Sequence, residues 1–281
     1  MSVPTEPVRT DYALAELDRR SDRPSLVTLY LDGVESSALD LDDPTYLEFE
    51  YMQQFRCILE AMYPKREPLR VLHLGAAGCA FPRALDAARP GSRQLAAEID
   101  GKLATYVREW FDLPPSPRLR IRVQDARVTL DTTAARWDVV VRDAFADRDV
   151  PSHLRTGDAA ARVAQVLQPE GVYLLNSVAS TGLTRFANES RALLENFEHV
   201  LAIMDPAVLR GRRFGNIVLA ASQREFAFAQ IERLVRRLPL PARMVGRADL
   251  RRRARGAILE SDADIGYVPA GASAPGTAID S

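Results

Sequence analysis

Val71-Leu72-His73-Leu74-Gly75-Ala76-Ala77-Gly78 is the stretch on which the fold turns. Val71 to Leu74 predicts a short strand, the residues from Gly75 to Gly78 a small-residue loop, and Ala80 to Arg89 a helix. A loop of that kind between strand and helix lets backbone N–H groups and a helix N-terminus approach a bound ligand closely. Gly75 and Gly78 equally suit a tight packing turn, so the loop alone leaves both readings open.

Downstream of this stretch, short apolar runs alternate with amphipathic ones. Gln94 to Ile99, Leu119 to Val123, Val139 to Val141, Val172 to Asn176, Val200 to Ile203 and Asn216 to Ala221 read as strands. Lys102 to Phe111 and Asp158 to Leu167 read as helices between the early ones, and Phe226 to Arg237 as a helix near the end. Alternation of this sort predicts a parallel sheet covered on both faces, with the last two strands as an antiparallel pair. Upstream, Ser25 to Asp32 predicts a strand or hairpin and Pro44 to Tyr63 a helix stopped by Pro64. The expected organisation is a flexible leader over 1–24, a β element with a linking helix over 25–63, a Rossmann-like domain over 64–260 and a disordered tail over 261–281. The fold class expected is α/β, a Rossmann-like seven-stranded sheet of the class I methyltransferase type with a small N-terminal β element.

A chain of 281 residues with 47% hydrophobic and 27% charged residues has ample core-forming material. Its formal charge of −1 gives no global field toward nucleic acid or anionic lipid, so neither nucleic acid nor membrane is the expected partner. Cys57 and Cys79 are the only cysteines, too few for a disulfide framework and too scattered for structural zinc, so no metal is expected. Met1 to Asp11 has no apolar run, and Gly171 to Thr184, the longest uncharged stretch inside the fold, is too short and polar to span a bilayer. A reducing, cytoplasmic location is expected.

Polar groups recur where the predicted strands end. Glu98 follows Gly75 by about twenty residues, the spacing at which a carboxylate accepts the ribose hydroxyls of a bound nucleoside. Gln124-Asp125-Ala126 ends the next strand, where a side-chain acceptor meets an adenine amine, and Asp143 lies just beyond Trp137-Asp138-Val139-Val140-Val141. Open α/β sheets bind ligands at this edge. Neither Lys65 nor Lys102 has the tyrosine a short-chain dehydrogenase needs, Gly101-Lys102 is followed by Leu103 rather than Ser or Thr, and no Gly-x-Ser-x-Gly elbow occurs. Leu167-Gln168-Pro169-Glu170-Gly171 is a turn common among S-adenosylmethionine-dependent proteins of this class, so an adenosyl-sulfonium ligand is the best remaining choice.

Together these residues resemble the spermidine synthases, or polyamine aminopropyltransferases, over about Leu26 to Ser222. Leu31-Asp32-Gly33-Val34, the Gly75 loop, Glu98-Ile99-Asp100, Gln124-Asp125-Ala126, Trp137 to Asp143 and Leu167 to Gly171 carry the likeness. The resemblance implies aminopropyl transfer from decarboxylated S-adenosylmethionine to an amine such as putrescine, usually in a homodimer. It places Gly75, Ala76, Ala77, Glu98, Ile99, Asp100, Asp125 and Ala126 on the donor, with Asp100 near the aminopropyl end. It makes Asp143 the catalytic base, and Asp147, Asp149 and Tyr46 candidates for holding the amine. Two alternatives stay open: a methyltransferase using intact S-adenosylmethionine, and a non-catalytic homologue. On the acceptor side the chain departs from the family pattern, since Ala144-Phe145-Ala146 separates Asp143 from Asp147 and Ser36 stands where glutamine is usual. Ala77 occupies a position usually held by glycine.

Weaker signals have plainer readings. His73, His153 and His199 are scattered; His73 reads as a hydrogen-bonded core residue and His153 as a group near the substrate loop. Cys79 reads as a small packing residue. Arg210, Arg212 and Arg213 read as a solvated turn, and the arginine-rich run from Arg243 to Arg255 as an exposed helix face.

Overall fold

Alternate residues of the central strands go to opposite layers: Val71, Val139 and Val141 join one buried cluster, while Leu72, Leu74 and Val140 join the other. Strands apolar on both faces can be buried only between two layers of helix, and that is the arrangement adopted. The structure is a computed structural model that describes residues 3–146, 149–179 and 181–271.

The chain begins with β1 (Val8–Arg9), β2 (Leu14–Arg19), β3 (Leu26–Leu31) and β4 (Val34–Asp40), followed by α1 (Glu50–Met62). Then come β5 (Arg70–Leu74), α2 (Ala80–Ala88), β6 (Arg93–Glu98), α3 (Gly101–Trp110), β7 (Leu119–Val123), α4 (Ala126–Thr132) and β8 (Trp137–Arg142). The remainder is α5 (Gly157–Val166), β9 (Leu167–Val178), α6 (Thr184–Asn196), β10 (His199–Met204), α7 (Pro206–Leu209), β11 (Asn216–Ser222), α8 (Phe228–Val235), β12 (Arg243–Val245) and α9 (Arg247–Arg253).

The first four strands form an antiparallel sheet in chain order. The others form an eight-stranded sheet in the order β12-β10-β11-β9-β8-β5-β6-β7. Strands β5 to β9 run parallel, and β11, β10 and β12 are added antiparallel. From β5 the chain moves outward through β6 to β7, then returns to place β8 on the other side of β5. The winding therefore reverses between β5 and β8, and open α/β sheets bind ligands beyond the carboxyl ends of the strands at such a point. Helices α1, α2, α3 and α8 cover one face, and α4, α5, α6 and α9 the other.

The α/β class, the methyltransferase-like sheet and the separate N-terminal β element agree with the sequence reading, and several particulars correct it. Among the described residues the sheet has eight strands rather than seven, because Arg243–Val245 adds to the edge of β10. The leader is not loose: β1 and β2 pair with the sheet, and the Asp100 carboxylate accepts the N–H groups of Asp11 and Tyr12 at 3.1 Å each. The first helix starts at Glu50 rather than Pro44. Helix α6 is unforeseen because its inner face is partly polar: Glu189 and Ser190 are buried beside Phe186 and Leu193, and Glu189 pairs with the buried Arg142 at 3.1 Å. The tail is corrected as far as residue 271, since Asp262 is buried against Arg127; residues 272–281 lie outside the described residues. Among the described residues no helix is long and apolar enough to cross a membrane.

Candidate functional site

Gly75 stands at the reversal point with φ +97°, and a Cβ there would come within 2.4 Å of the Asp143 carbonyl oxygen. Glycine is therefore required by both the left-handed backbone and the close approach of the segment following β8. Gly78 is similarly pressed against β4: its N–H donates to Ser37 Oγ at 2.9 Å, and a Cβ would come within 2.6 Å of Ser37 Cβ. Between them Ala77 is left-handed with φ 43°, and Cys79, also left-handed, precedes α2. Cys79 is fully buried and burial pushes its thiol up to about 12, which suits a packing role. His73 is buried too, its Nε2 2.9 Å from Gln94 Oε1, and burial lowers it to about 4.

The loop is tied to the end of β6 by Glu98. Its Oε2 accepts the Ala77 N–H at 2.9 Å and its Oε1 the Asp100 N–H at 3.0 Å. Burial raises the Glu98 carboxyl above the ordinary range, and those backbone donors only partly oppose it. Ile99 beside it is 49% exposed and Val123, ending β7, is 59% exposed, so two apolar side chains stand open at the same strand ends.

Asp100 is employed differently from the expectation. It is 4% exposed, caps α3 by accepting the Leu103 N–H at 2.8 Å, and spends its other contacts on Asp11 and Tyr12. Burial works to raise it, but the donors, Thr10 included, prevail and hold it below the usual range. A helix cap whose oxygens are filled has nothing left for a ligand's tail.

Asp125 caps α4, its Oδ1 accepting from the N–H groups of Arg127 at 2.7 Å and Val128 at 3.1 Å. Its Oδ2 lies 3.2 Å from His153 Nε2, and Ala126 beside it is buried. Burial opposes the charge on Asp125, yet His153 and the helix N–H groups keep it below the ordinary carboxylate range.

Asp143 is arranged in another manner. Tyr51 at the start of α1 donates its hydroxyl to Oδ2 at 2.8 Å, and Asn176 near the end of β9 donates Nδ2–H to Oδ1 at 3.1 Å. Both donors are neutral. The neighbouring Arg142 is turned into Glu189 and the Asn176 carbonyl, so no cation touches the carboxylate among the described residues. Burial raises Asp143, and Asn176, Tyr51 and the Arg142 charge pull it back without overcoming that. Asn176 is 2% exposed, and its Oδ1 has no hydrogen-bond partner among the described residues.

Other acceptor-side candidates fare unevenly. Asp147 lies outside the described residues. Asp149 is ion-paired with Arg185 at 2.5 Å. Tyr46 donates its hydroxyl to Glu48 beneath the Arg23 guanidinium, and it is Tyr51 that reaches Asp143. Tyr51 and Asn176 were not foreseen as site residues. Asn176 is legible in retrospect as the one amide in the otherwise apolar run Val172 to Asn176; Tyr51 looks like any helix aromatic until the helix is docked.

Glu98, Asp125 and Asp143 thus stand at or just beyond the carboxyl ends of three parallel strands. Such a row suits hydroxyls, amines and positive charge, and disfavours phosphate. A cleft of about 320 Å³ between α1 and α2, lined by Leu59, Phe81 and Arg89 among others, contains none of the three.

No family model matches the chain. It is similar to a probable spermidine synthase from Corynebacterium glutamicum, a solved structure, with 32% identity, a TM-score of 0.88, and coverage of 98% of this chain and 100% of that one. It is 28% identical over 136 residues to a polyamine aminopropyltransferase of Vibrio vulnificus, a match spanning 47% of this chain but only 46% of that relative. Another polyamine aminopropyltransferase, from Chromobacterium violaceum, is 25% identical over 202 residues, covering 72% of this chain and 74% of the relative.

Proposed function

The chain belongs to the spermidine synthase family, and from that premise we propose that it transfers an aminopropyl group from decarboxylated S-adenosylmethionine to an amine such as putrescine. The observation that carries the reading is Asp143: a half-buried carboxylate whose two side-chain donors among the described residues, Tyr51 and Asn176, are both neutral, at the reversal point of the sheet, beside an amide oxygen with no partner among those residues.

The donor set fits an adenosyl sulfonium. Glu98 would take the ribose hydroxyls, Asp125 and Ala126 the adenine edge, and the open side chains of Ile99 and Val123 give a planar base an apolar wall. The acid row favours a positively charged sulfur. When bound, decarboxylated S-adenosylmethionine supplies a methylene activated by the adjacent sulfonium.

The chain's own residues then manage a proton. An ammonium has no lone pair, so the acceptor must lose a proton before its nitrogen can form the new C–N bond while the C–S bond breaks and 5′-methylthioadenosine leaves; Asp143, its pKa raised by burial, is suited to take that proton. Tyr51 and Asn176 hold both carboxylate oxygens in place, and Asn176 Oδ1 is available to a second N–H of the same nitrogen. The other end of a diamine calls for a second acid; Asp149 is its candidate, once Arg185 is displaced. A cytoplasmic location and a homodimer complete the reading, on the strength of the family.

Calorimetry with 5′-methylthioadenosine, decarboxylated S-adenosylmethionine and intact S-adenosylmethionine, followed by product analysis with putrescine, tests it. The expected result is binding of the first two, weaker binding of the intact donor because its carboxylate meets the acid row, and formation of spermidine. Tighter binding of the intact donor would turn the reading toward methyl transfer, and binding of none toward a non-catalytic homologue.

A further inference from the structure

Beyond α9 the chain crosses back over α6, α5 and α4 as a strap. Arg191 donates to the Ala257 carbonyl at 2.7 Å, the Gly157 N–H to the Glu260 carbonyl at 2.8 Å, and the Asp262 N–H to Asp158 Oδ2 at 2.7 Å. The Asp262 carboxylate then enters the core. Its Oδ1 accepts from Thr156 at 2.7 Å and Arg127 Nη1 at 2.9 Å, its Oδ2 from Arg127 Nη2 at 2.5 Å, and Arg127 is 1% exposed.

Arg127 belongs to the helix that Asp125 caps, and its Nη1 also donates to the His153 carbonyl at 2.7 Å. Farther along the strap, Tyr267 donates to Asp131 at 3.0 Å. Its ring stacks on His153 with centroids 5.4 Å apart and planes 11° apart, while the Arg127 guanidinium lies 4.6 Å from its centroid. His153 is therefore held by its carbonyl and by one ring face, with Nε2 directed at Asp125 Oδ2.

We propose that the C-terminal strap, through Tyr267 and His153, positions Asp125 and so sets the selectivity of the donor site for a base carrying an exocyclic amine. The inference rests on the reading above, in which Asp125 receives adenine. Asp125 Oδ1 is spent on the N–H groups of α4, which leaves Oδ2 for the base. A His153 Nε2–H donating to Oδ2 fixes that oxygen and leaves a lone pair on it for an incoming amine. His153 and Tyr267 are positioning residues; neither touches the reacting atoms.

The test compares binding of 5′-methylthioadenosine with that of 5′-methylthioinosine, whose carbonyl replaces the amine. The wild-type protein should prefer the adenosine compound by at least about tenfold, the worth of a hydrogen bond to a charged group. His153→Ala and Tyr267→Ala should each collapse most of that ratio, and Tyr267→Phe, which keeps the stacked ring, should retain it. A strap that served only to anchor the chain end would lower the melting temperature and leave the ratio alone. An unchanged ratio in both alanine variants overturns the proposal while the donor reading stands. A wild-type protein that binds the two nucleosides equally overturns the assignment of Asp125 to adenine, and this proposal with it.

Discussion

The proposed donor half of the site and its proposed acceptor half are both built on carboxylates, and they draw the donors to those carboxylates from different places. On the donor half Glu98 and Asp125 accept backbone N–H groups from their own loops and helices, contacts made within a strand–loop–helix unit or between adjacent ones. On the acceptor half Asp143 accepts from two side chains, Tyr51 on the helix following the N-terminal sheet and Asn176 across β9. Asp125 caps a helix and is held below the ordinary range, whereas Asp143 caps nothing and burial raises it. Glu98 keeps its N–H donors yet is raised by burial as Asp143 is, so the direction of the shift separates Asp143 from Asp125 alone, and the source of the donors separates it from both. A carboxylate that takes a proton needs a pKa nearer that of its task, and burial among neutral donors moves Asp143 that way.

The sharpest way to break this contrast is Asp143→Asn. Turnover should fall by roughly 10² to 10⁴, the usual worth of a general base, while affinity for 5′-methylthioadenosine stays within a few fold. Steady-state kinetics beside calorimetry measures both; a variant that keeps its turnover removes Asp143 from the chemistry. Next in size is Glu98→Gln, expected to weaken nucleoside binding about tenfold or more, since a charge-assisted acceptor is replaced by an amide. The loss should appear in KM for the donor with kcat little changed, and the opposite split would move Glu98 out of the gripping half.

The smallest effect, and the most informative about the acceptor half, belongs to Tyr51→Phe. Its hydroxyl lowers the Asp143 pKa by stabilising the charged form, so its removal lets that pKa rise further. Asp143 must be ionised to accept a proton, so the acid limb of the pH–rate profile should move to higher pH by somewhat under about one unit, with a loss at neutral pH of at most about fivefold, from an interaction worth about 1 kcal/mol. A limb that stays put while the rate drops would mean that Tyr51 serves packing rather than ionisation.

Legibility in the sequence followed the range of the contacts. Gly75, Glu98, Asp125 and Asp143 were readable because strand-end positions are set by local pattern, each a few residues from an apolar run. Asp100 was misjudged because it sits at such a position yet is consumed by a helix cap and by two N–H groups from a distant hairpin. Helix α6 escaped because Glu189 breaks its apolar stripe to meet Arg142, a partner on another element. Both chain ends looked loose for the same reason: Asp11 and Asp262 gain their order from residues far away in sequence.

By itself, then, the amino-acid order determined the alternation of strand and helix, the carboxyl-terminal edge of the sheet and the acids that stand on it. These depend on periodicity and on turn chemistry within short windows. Only the tertiary structure decided which acid is locked as a cap, that Tyr51 and Asn176 brace Asp143, and that the C-terminal strap stacks on the histidine paired with Asp125. Those outcomes come from burial and from donors contributed by remote segments, and neither is encoded in any one stretch of the chain.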